Sequence, residues 1–362
     1  MKKFLQGKSV LITGGTGSLG KVLTRRILTG EMGTPKKVII FSRDEGKHHA
    51  MQVSYMQTKV ASEAIIFRNF ERTVQFYLGD VRDINSLLPA MAMADVVVHA
   101  AALKQMPNCE YFPEQAIETN VRGAENIVRA IRDYKLKVET VIGISTDKAV
   151  KPVNVMGMTK ALQERILLRG NIDCPKTRIV MVRYGNVLAS RGSVIPLFVE
   201  QVRNGGPVTI TNMEMTRFLL SLNEAVDIIF EAMRSALRGE IYVPIVPSAR
   251  VGDIAKAIIG GRKIEIVMTG NRPGEKIHEV LTSEEEAPRA FKRKNYYVIP
   301  SILPELQAKK KITPALTGEY SSADHLISTR EVEALLTRNR LRLEDTYNGP
   351  DRRSAREEEL LR

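Results

Sequence analysis

The stretch SVLITGGTGSLGKVL, residues 9–23, decides the fold. An apolar run, Ser9–Thr13, leads straight into Gly14, Gly17 and Gly20, and a helical pattern follows over Ser18–Leu28. A strand covered on both faces reads as such a continuous apolar run. Glycines at this spacing remove side chains where a pyrophosphate must approach backbone N–H groups at a helix N-terminus, whose dipole favours the anion. Glycines also simply make turns, but behind a first strand they point to a dinucleotide cofactor. Gly14, Thr16, Gly17, Ser18, Leu19 and Gly20 are expected against it.

Outward from this turn, strand-like runs recur at Val38–Phe41, Gln75–Leu78, Val96–His99, Val141–Ser145 and Arg178–Tyr184. Helical patterns separate them, notably Glu114–Asp133 and Met156–Leu168. The alternation predicts an α/β fold with a doubly wound parallel sheet. The second strand ends in Ser42, Arg43 and Asp44. Arg with Ser suits the 2′-phosphate of NADP, so NADP is expected, while Asp44 keeps NAD as the alternative because a carboxylate binds the free ribose hydroxyl. Asp80 and Val81 are expected at the adenine, and Ala100, Ala101 and Ala102 where the backbone passes close to the cofactor.

The 362 residues are enough for one large domain and a smaller appended one. After about Asn186 the rhythm loosens, with Gly205, Gly206, Pro207, Pro244, Pro247, Pro273 and Gly274 as punctuation. The expected division is a cofactor domain over 1–186, a substrate domain over 187–308 that could interleave with the first, a C-terminal arm over 309–340 and a charged, disordered tail over 341–362. Only Cys109 and Cys174 occur, so neither a disulfide framework nor a structural metal site is indicated. The N-terminus carries no apolar h-region and the chain no run of eighteen apolar residues, from which an unprocessed, cytoplasmic, non-membrane protein is expected. The net charge of +13 would attract any polyanion. With no Trp and no aromatics alternating with Lys or Arg, a solvated surface is expected rather than a nucleic-acid site.

The order GGxGxxG, GDVRD, HAAALK, TN, STDK and MxxxK resembles that of the extended short-chain dehydrogenases/reductases. With RYGNVLASRGSVIP, MTRF and RPGEKIHE added, the chain over about residues 5 to 335 is similar to bacterial UDP-N-acetylglucosamine 4,6-dehydratases of surface-polysaccharide synthesis. That resemblance implies removal of hydride from carbon 4 of the sugar, loss of a proton from carbon 5 with departure of the carbon 6 hydroxyl, and return of the hydride to carbon 6. It assigns Lys148 as the base at carbon 5 and Asp147 as the acid at carbon 6. Thr146 would donate to the sugar hydroxyl, and Lys160 would hydrogen-bond the nicotinamide ribose. Most of the superfamily has Tyr four residues before the lysine, and this chain has Met156. A thioether cannot ionise, so it cannot be a base. Subgroups of the same dehydratases share this Met, and Asp147 would take over part of the missing role.

For the UDP-amino-sugar substrate the expected contacts are Lys104, Asn186, Arg191, Arg217, Arg272 and Glu275, with Arg217 and Arg272 as guanidinium forks for the diphosphate. Asn120 is expected to order the active-site loop, and Glu275 with Lys276 the RPGEK loop. The segment GEYSSADHLISTREVEALL resembles the arm of capsule enzymes that invert carbon 5. The family resemblance also implies a homo-oligomer, a hexamer in relatives. Two other readings stay open: a UDP-N-acetylhexosamine 4-epimerase, which needs no acid/base pair at carbons 5 and 6, and a silent NADP-sensing or RNA-binding protein, since fold does not fix function.

Overall fold

The structure, a computed structural model, describes residues 3–56, 64–188, 193–307 and 312–348. Six strands, β1 (Ser9–Thr13), β2 (Lys37–Ser42), β3 (Val74–Leu78), β4 (Val96–His99), β5 (Thr140–Thr146) and β6 (Arg178–Tyr184), form most of the parallel part of a nine-stranded sheet in the order β6-β5-β4-β1-β2-β3. They match the apolar runs to within one residue at either end. Val10, Leu11, Ile12, Val96, Val97 and Val98 are fully buried, as a sheet covered on both faces requires. The strand order reverses between β1 and β4, so connections leave in opposite directions and a crevice opens at the carboxyl ends. The turns after β1, β4 and β5 all lie along that edge.

Beyond β6 the sheet continues through Ile241–Pro244, parallel to β6, and then through the antiparallel strands Tyr296–Ile299 and Phe291–Arg293. The chain divides into two compact units. The larger comprises Met1–Gly185, Leu222–Val246 and Glu279–Ser321, and the smaller Asn186–Ser221, Pro247–His278 and Ser322–Arg362. The span 187–308 is thus shared between the two units. Two of its segments return to the large unit because the exposed edge of β6 offers unpaired backbone groups that Ile241–Pro244 satisfies. The arm expected over 309–340 is likewise divided: Tyr320–Ser321 pairs with Val280–Thr282 in the large unit, whereas helix Thr329–Arg338 belongs to the small one. Ser328 and Glu331 close a capping box on that helix. It contributes Val332, Leu335 and Leu336 to a core shared with Phe198, Ile254 and Ile258. Within the expected disordered tail, Leu343–Asn348 is helical, and residues 349–362 lie outside the described residues.

The helix predicted over Glu114–Asp133 is interrupted. Its middle, Ile117–Arg122, is a π-helical turn between Pro113–Ala116 and Gly123–Asp133. Such bulges re-aim side chains. Here Asn120 is fully buried: its Oδ1 accepts from Leu103 N at 2.8 Å, and its Nδ2 donates to Leu103 O and to Thr159 Oγ1, each at 3.0 Å. Asn120 thus ties the loop after β4 to helix Val155–Asp173.

Candidate active site

At the turn after β1, Gly14 has φ +67°, and a Cβ there would lie 2.8 Å from Ala101 Cα and N. A Cβ on Gly20 would come within 2.3 Å of Gly15 O. The glycines therefore allow both the close passage of Ala100–Ala102 and the tight entry to helix Ser18–Leu28. That helix starts at Gly17 with no side-chain cap, so no capping side chain covers its first N–H groups. An uncapped N-terminus beside a side-chain-free turn fits a pyrophosphate. Thr16 Oγ1 donates to Ser42 Oγ at 3.1 Å, and Ser42 Oγ lies 2.7 Å from His48 Nε2. The two sequence-predicted ends of the cofactor groove are thereby linked. Arg43 is more than half exposed, with a nitrogen 3.9 Å from Asp80. Asp44 is otherwise engaged: its Oδ1 accepts from Lys47 N at 2.9 Å at the start of the next helix, and its other oxygen pairs with Lys47. Asp80 holds the Arg82 guanidinium, and Val81 is buried against Gly123.

The turn after β5 is built from charge. Asp147 is completely buried, and its Oδ1 accepts from Thr146 Oγ1 at 2.8 Å. Lys148 Nζ sits 3.1 Å from Asp147 Oδ1 and 3.1 Å from Glu279 Oε1. Asp147 Oδ2 is buried with no hydrogen-bond partner among the described residues. Burial raises the Asp147 carboxyl above its ordinary range; Lys148 opposes this and the Glu279 charge adds to it. The turn thus holds a carboxyl disposed to keep its proton next to an amine. Lys160, on the following helix, is also buried, and its ammonium donates to Ile144 O at 2.6 Å and to Gln163 Oε1. A buried ammonium must find acceptors, and β5 supplies one. Burial lowers its pKa to about 8, with Glu164 opposing. Met156 is buried in an apolar cluster with Cys109 and Ala116, so at the position of the missing phenol its side chain is packing, not chemistry.

Two buried groups beside this turn escape the sequence reading. Glu279 stands last in RPGEKIHE, where nothing local distinguishes it from a surface acid. His99, at the end of β4, is fully buried, with Nδ1 2.8 Å from Thr13 Oγ1. Burial and the Lys160 charge push its pKa down to about 3, so it is neutral. The motif HAAALK was the available signal for it.

Of the expected substrate contacts, Lys104 is exposed in the large unit just past β4. In the small unit, Asn186 and Arg217 line one shallow pocket with Leu188, Ser193 and Leu219. The guanidinium fork expected at Arg217 is already engaged: Nη1 donates to Thr216 O at 2.7 Å and to Ile277 O at 3.2 Å, because strand Thr216–Leu220 buries the side chain. Arg272 is exposed on a turn in which Glu275 N donates to Arg272 O at 3.2 Å. Glu275 is half-buried, and Arg191 lies outside the described residues. No helix of the described residues is long and apolar enough to cross a membrane, and no cluster of potential metal ligands occurs among them.

Residues 10–301 match the family described as polysaccharide biosynthesis protein. The chain is 42% identical over 343 residues to a UDP-glucose 4-epimerase of Rickettsia bellii, covering 91% of this chain and 95% of that one. Among solved structures it is similar to Pen from Bacillus thuringiensis, with 32% identity, a TM-score of 0.83, and 93% of this chain and 99% of that chain covered. It also shares its fold with DesIV, a dTDP-glucose 4,6-dehydratase from Streptomyces venezuelae solved with NAD and TYD, at 19% identity and a TM-score of 0.61, over 74% of this chain and 86% of that one.

Proposed function

The chain belongs to the polysaccharide biosynthesis protein family, and from that premise we propose that it is a nucleotide-sugar 4,6-dehydratase. Its substrate is UDP-N-acetylglucosamine, and its product a UDP-4-keto-6-deoxy-N-acetylhexosamine inverted at carbon 5. The observation that carries this reading is the buried Asp147 carboxyl, raised in pKa and 3.1 Å from the Lys148 amine. Expelling water needs an acid on the departing hydroxyl and a base on the adjacent carbon, and a carboxyl kept protonated beside an amine meets both needs. Lys148 takes the proton from carbon 5, and Asp147 gives its own to the carbon 6 oxygen. Thr146 orients Asp147 through its hydroxyl. Lys160 holds positive charge beneath the turn while it is protonated.

The cofactor assigned to the glycine turn is NADP, which when bound supplies a reversible hydride acceptor. NADP rather than NAD is favoured because Arg43 is exposed while the Asp44 carboxylate is taken up by Lys47. Lys104 is assigned to the sugar and Arg272 to the diphosphate, with Arg191 among the further substrate contacts. Asn186, Arg217 and Glu275 complete the proposed substrate contacts, Arg217 as a wall of its pocket.

A second reading, 4-epimerisation, is favoured by the name of the Rickettsia relative. Incubating the protein with NADP and UDP-N-acetylglucosamine in deuterated water separates the two. Loss of one water from the sugar, with deuterium at carbon 5, supports dehydration; a product of unchanged mass inverted at carbon 4 overturns it.

A further inference from the structure

Lys148 has two carboxylates at the same distance, and the proposed chemistry uses only one. Asp147 Oδ1 and Glu279 Oε1 each lie 3.1 Å from Nζ. Glu279 is 2% exposed and Asp147 0%, so both acids are withdrawn from water. Two buried carboxylates around one amine nitrogen cannot both ionise without a large cost, and the charge of one raises the proton affinity of the other.

The chain secures Glu279 by means outside the turn itself. Glu279 immediately precedes Val280–Thr282, which pairs with Tyr320–Ser321. Four residues after Glu279, Ser283 N donates to Glu286 Oε2, and Glu286 meets the buried Arg183 guanidinium at 2.7 Å on one oxygen and 2.9 Å on the other. The same guanidinium grips Glu164 of helix Val155–Asp173, with bonds of 2.8 and 2.7 Å. On the near side, Lys151 pairs with Glu284 at 2.9 Å and Glu319 at 2.7 Å. Exposed pairs such as those of Lys151 contribute little, whereas breaking a buried, bidentate one like Arg183 is costly. The segment that carries Glu279 is therefore fixed to the helix that carries Lys160.

We propose that Glu279 is a positioning residue of the dehydratase site. It holds Lys148 between two carboxylates, and its negative charge keeps the proton on Asp147 so that Asp147 enters the elimination as the acid. The same charge meets the ammonium that forms when Lys148 takes the carbon 5 proton. The inference rests on the dehydratase reading for its consequence but not for the electrostatics. The charged groups facing Asp147 are Lys148 on its own turn and Glu279 from the segment entering Val280–Thr282; helix Val155–Asp173 brings Lys160, whose ammonium is committed to Ile144 O and Gln163.

The test follows the Asp147 carboxyl by carbon NMR on protein labelled at the aspartate carboxyl, with Asp147→Asn to identify the signal. It compares the full-length protein with Glu279→Gln and Glu279→Asp, while the rate of water loss is measured against pH. An acid must be protonated to act, so the rate falls as pH rises through the Asp147 midpoint. Glu279→Gln should lower that midpoint by about one unit or more. It should move the descending limb of the rate down in step, and Glu279→Asp should restore most of the shift. An Asp147 midpoint unchanged in Glu279→Gln overturns the inference even where water loss continues. A midpoint that shifts in a protein that expels no water from the sugar supports the coupling and overturns the dehydratase reading instead.

Discussion

The turn that leaves β1 and the turn that leaves β5 lie along the same carboxyl edge of one sheet, but the first is made of bare backbone and the second of buried charge. At Gly14 and Gly20 the backbone packing requires that side chains be absent, and the constraint is steric: a Cβ has 2.8 Å and 2.3 Å to its nearest neighbours. At Thr146–Lys148 the proposed function calls for a carboxyl whose protonation is out of the ordinary, and the constraint is electrostatic: burial raises Asp147 against the pull of Lys148. A steric cradle fails by losing its ligand. An electrostatic pair fails by losing its proton while everything around it stays folded.

That contrast is sharpest in the largest expected effect. Asp147→Asn keeps the shape of the side chain and removes its acid. Together with Lys148→Ala it tests whether the β5 turn acts separately from the β1 turn: each variant should slow water loss by on the order of 10³-fold or more. NADP binding, measured by titration, should stay within twofold or so of the parent value, since neither group belongs to the glycine turn. Full turnover in either variant removes the pair from the chemistry.

Next comes the pH dependence of stability carried by Lys160. Its folded pKa of about 8 lies below the ordinary lysine value of 10.5. Between these pH values the unfolded chain binds the proton and the folded chain does not, so this group adds stability as pH rises through the window and is a full liability below it. Relative to Lys160→Met, the parent should gain about 3 kcal/mol between pH 8 and 10.5 and no more beyond. Urea midpoints of both proteins across that range check the slope. A parallel pair of curves would mean that the ammonium is better solvated than its burial indicates. Gly14→Ala, on the steric side, should cost roughly 1–3 kcal/mol through the left-handed backbone and the clash with Ala101. It should weaken NADP while leaving the Asp147 titration in place.

The same division explains what the sequence made legible. The strands β1 to β6 and the glycine turn depend on neighbours in the chain, so apolar runs and spacing reveal them. Asp147 and Lys148 were visible through a resemblance, not through their burial. Glu279 stands within a motif that does not mark it out, because its partner Lys148 lies far away in sequence and only folding brings them to 3.1 Å. Arg217 is the reverse case: an arginine in a motif suggests a guanidinium fork, while strand Thr216–Leu220 turns its Nη1 onto backbone carbonyls. Interleaving of the two units is open in the sequence, but which segments return to the large unit, Leu222–Val246 and Glu279–Ser321, is not legible there, since a short strand's partner is chosen by an available sheet edge and not by its own pattern.

The smallest expected effect lies at the end of β2, where the two principles meet. Thr16 of the glycine turn reaches Ser42, and beside Ser42 stand the exposed Arg43 and the committed Asp44. If the choice of dinucleotide is electrostatic, Arg43→Gln should weaken NADP by roughly tenfold, about 1.4 kcal/mol, and leave NAD nearly unchanged, because only the 2′-phosphate gives the guanidinium a charge to pair with. Asp44→Asn should do little to either ligand beyond loosening the helix start, since the carboxylate accepts from Lys47 N at 2.9 Å and faces that helix. Equal losses for both dinucleotides in Arg43→Gln would mean that the arginine shapes the groove rather than reading the phosphate. Cofactor choice would then rest with Ser42 and Thr16, on the steric side of the comparison.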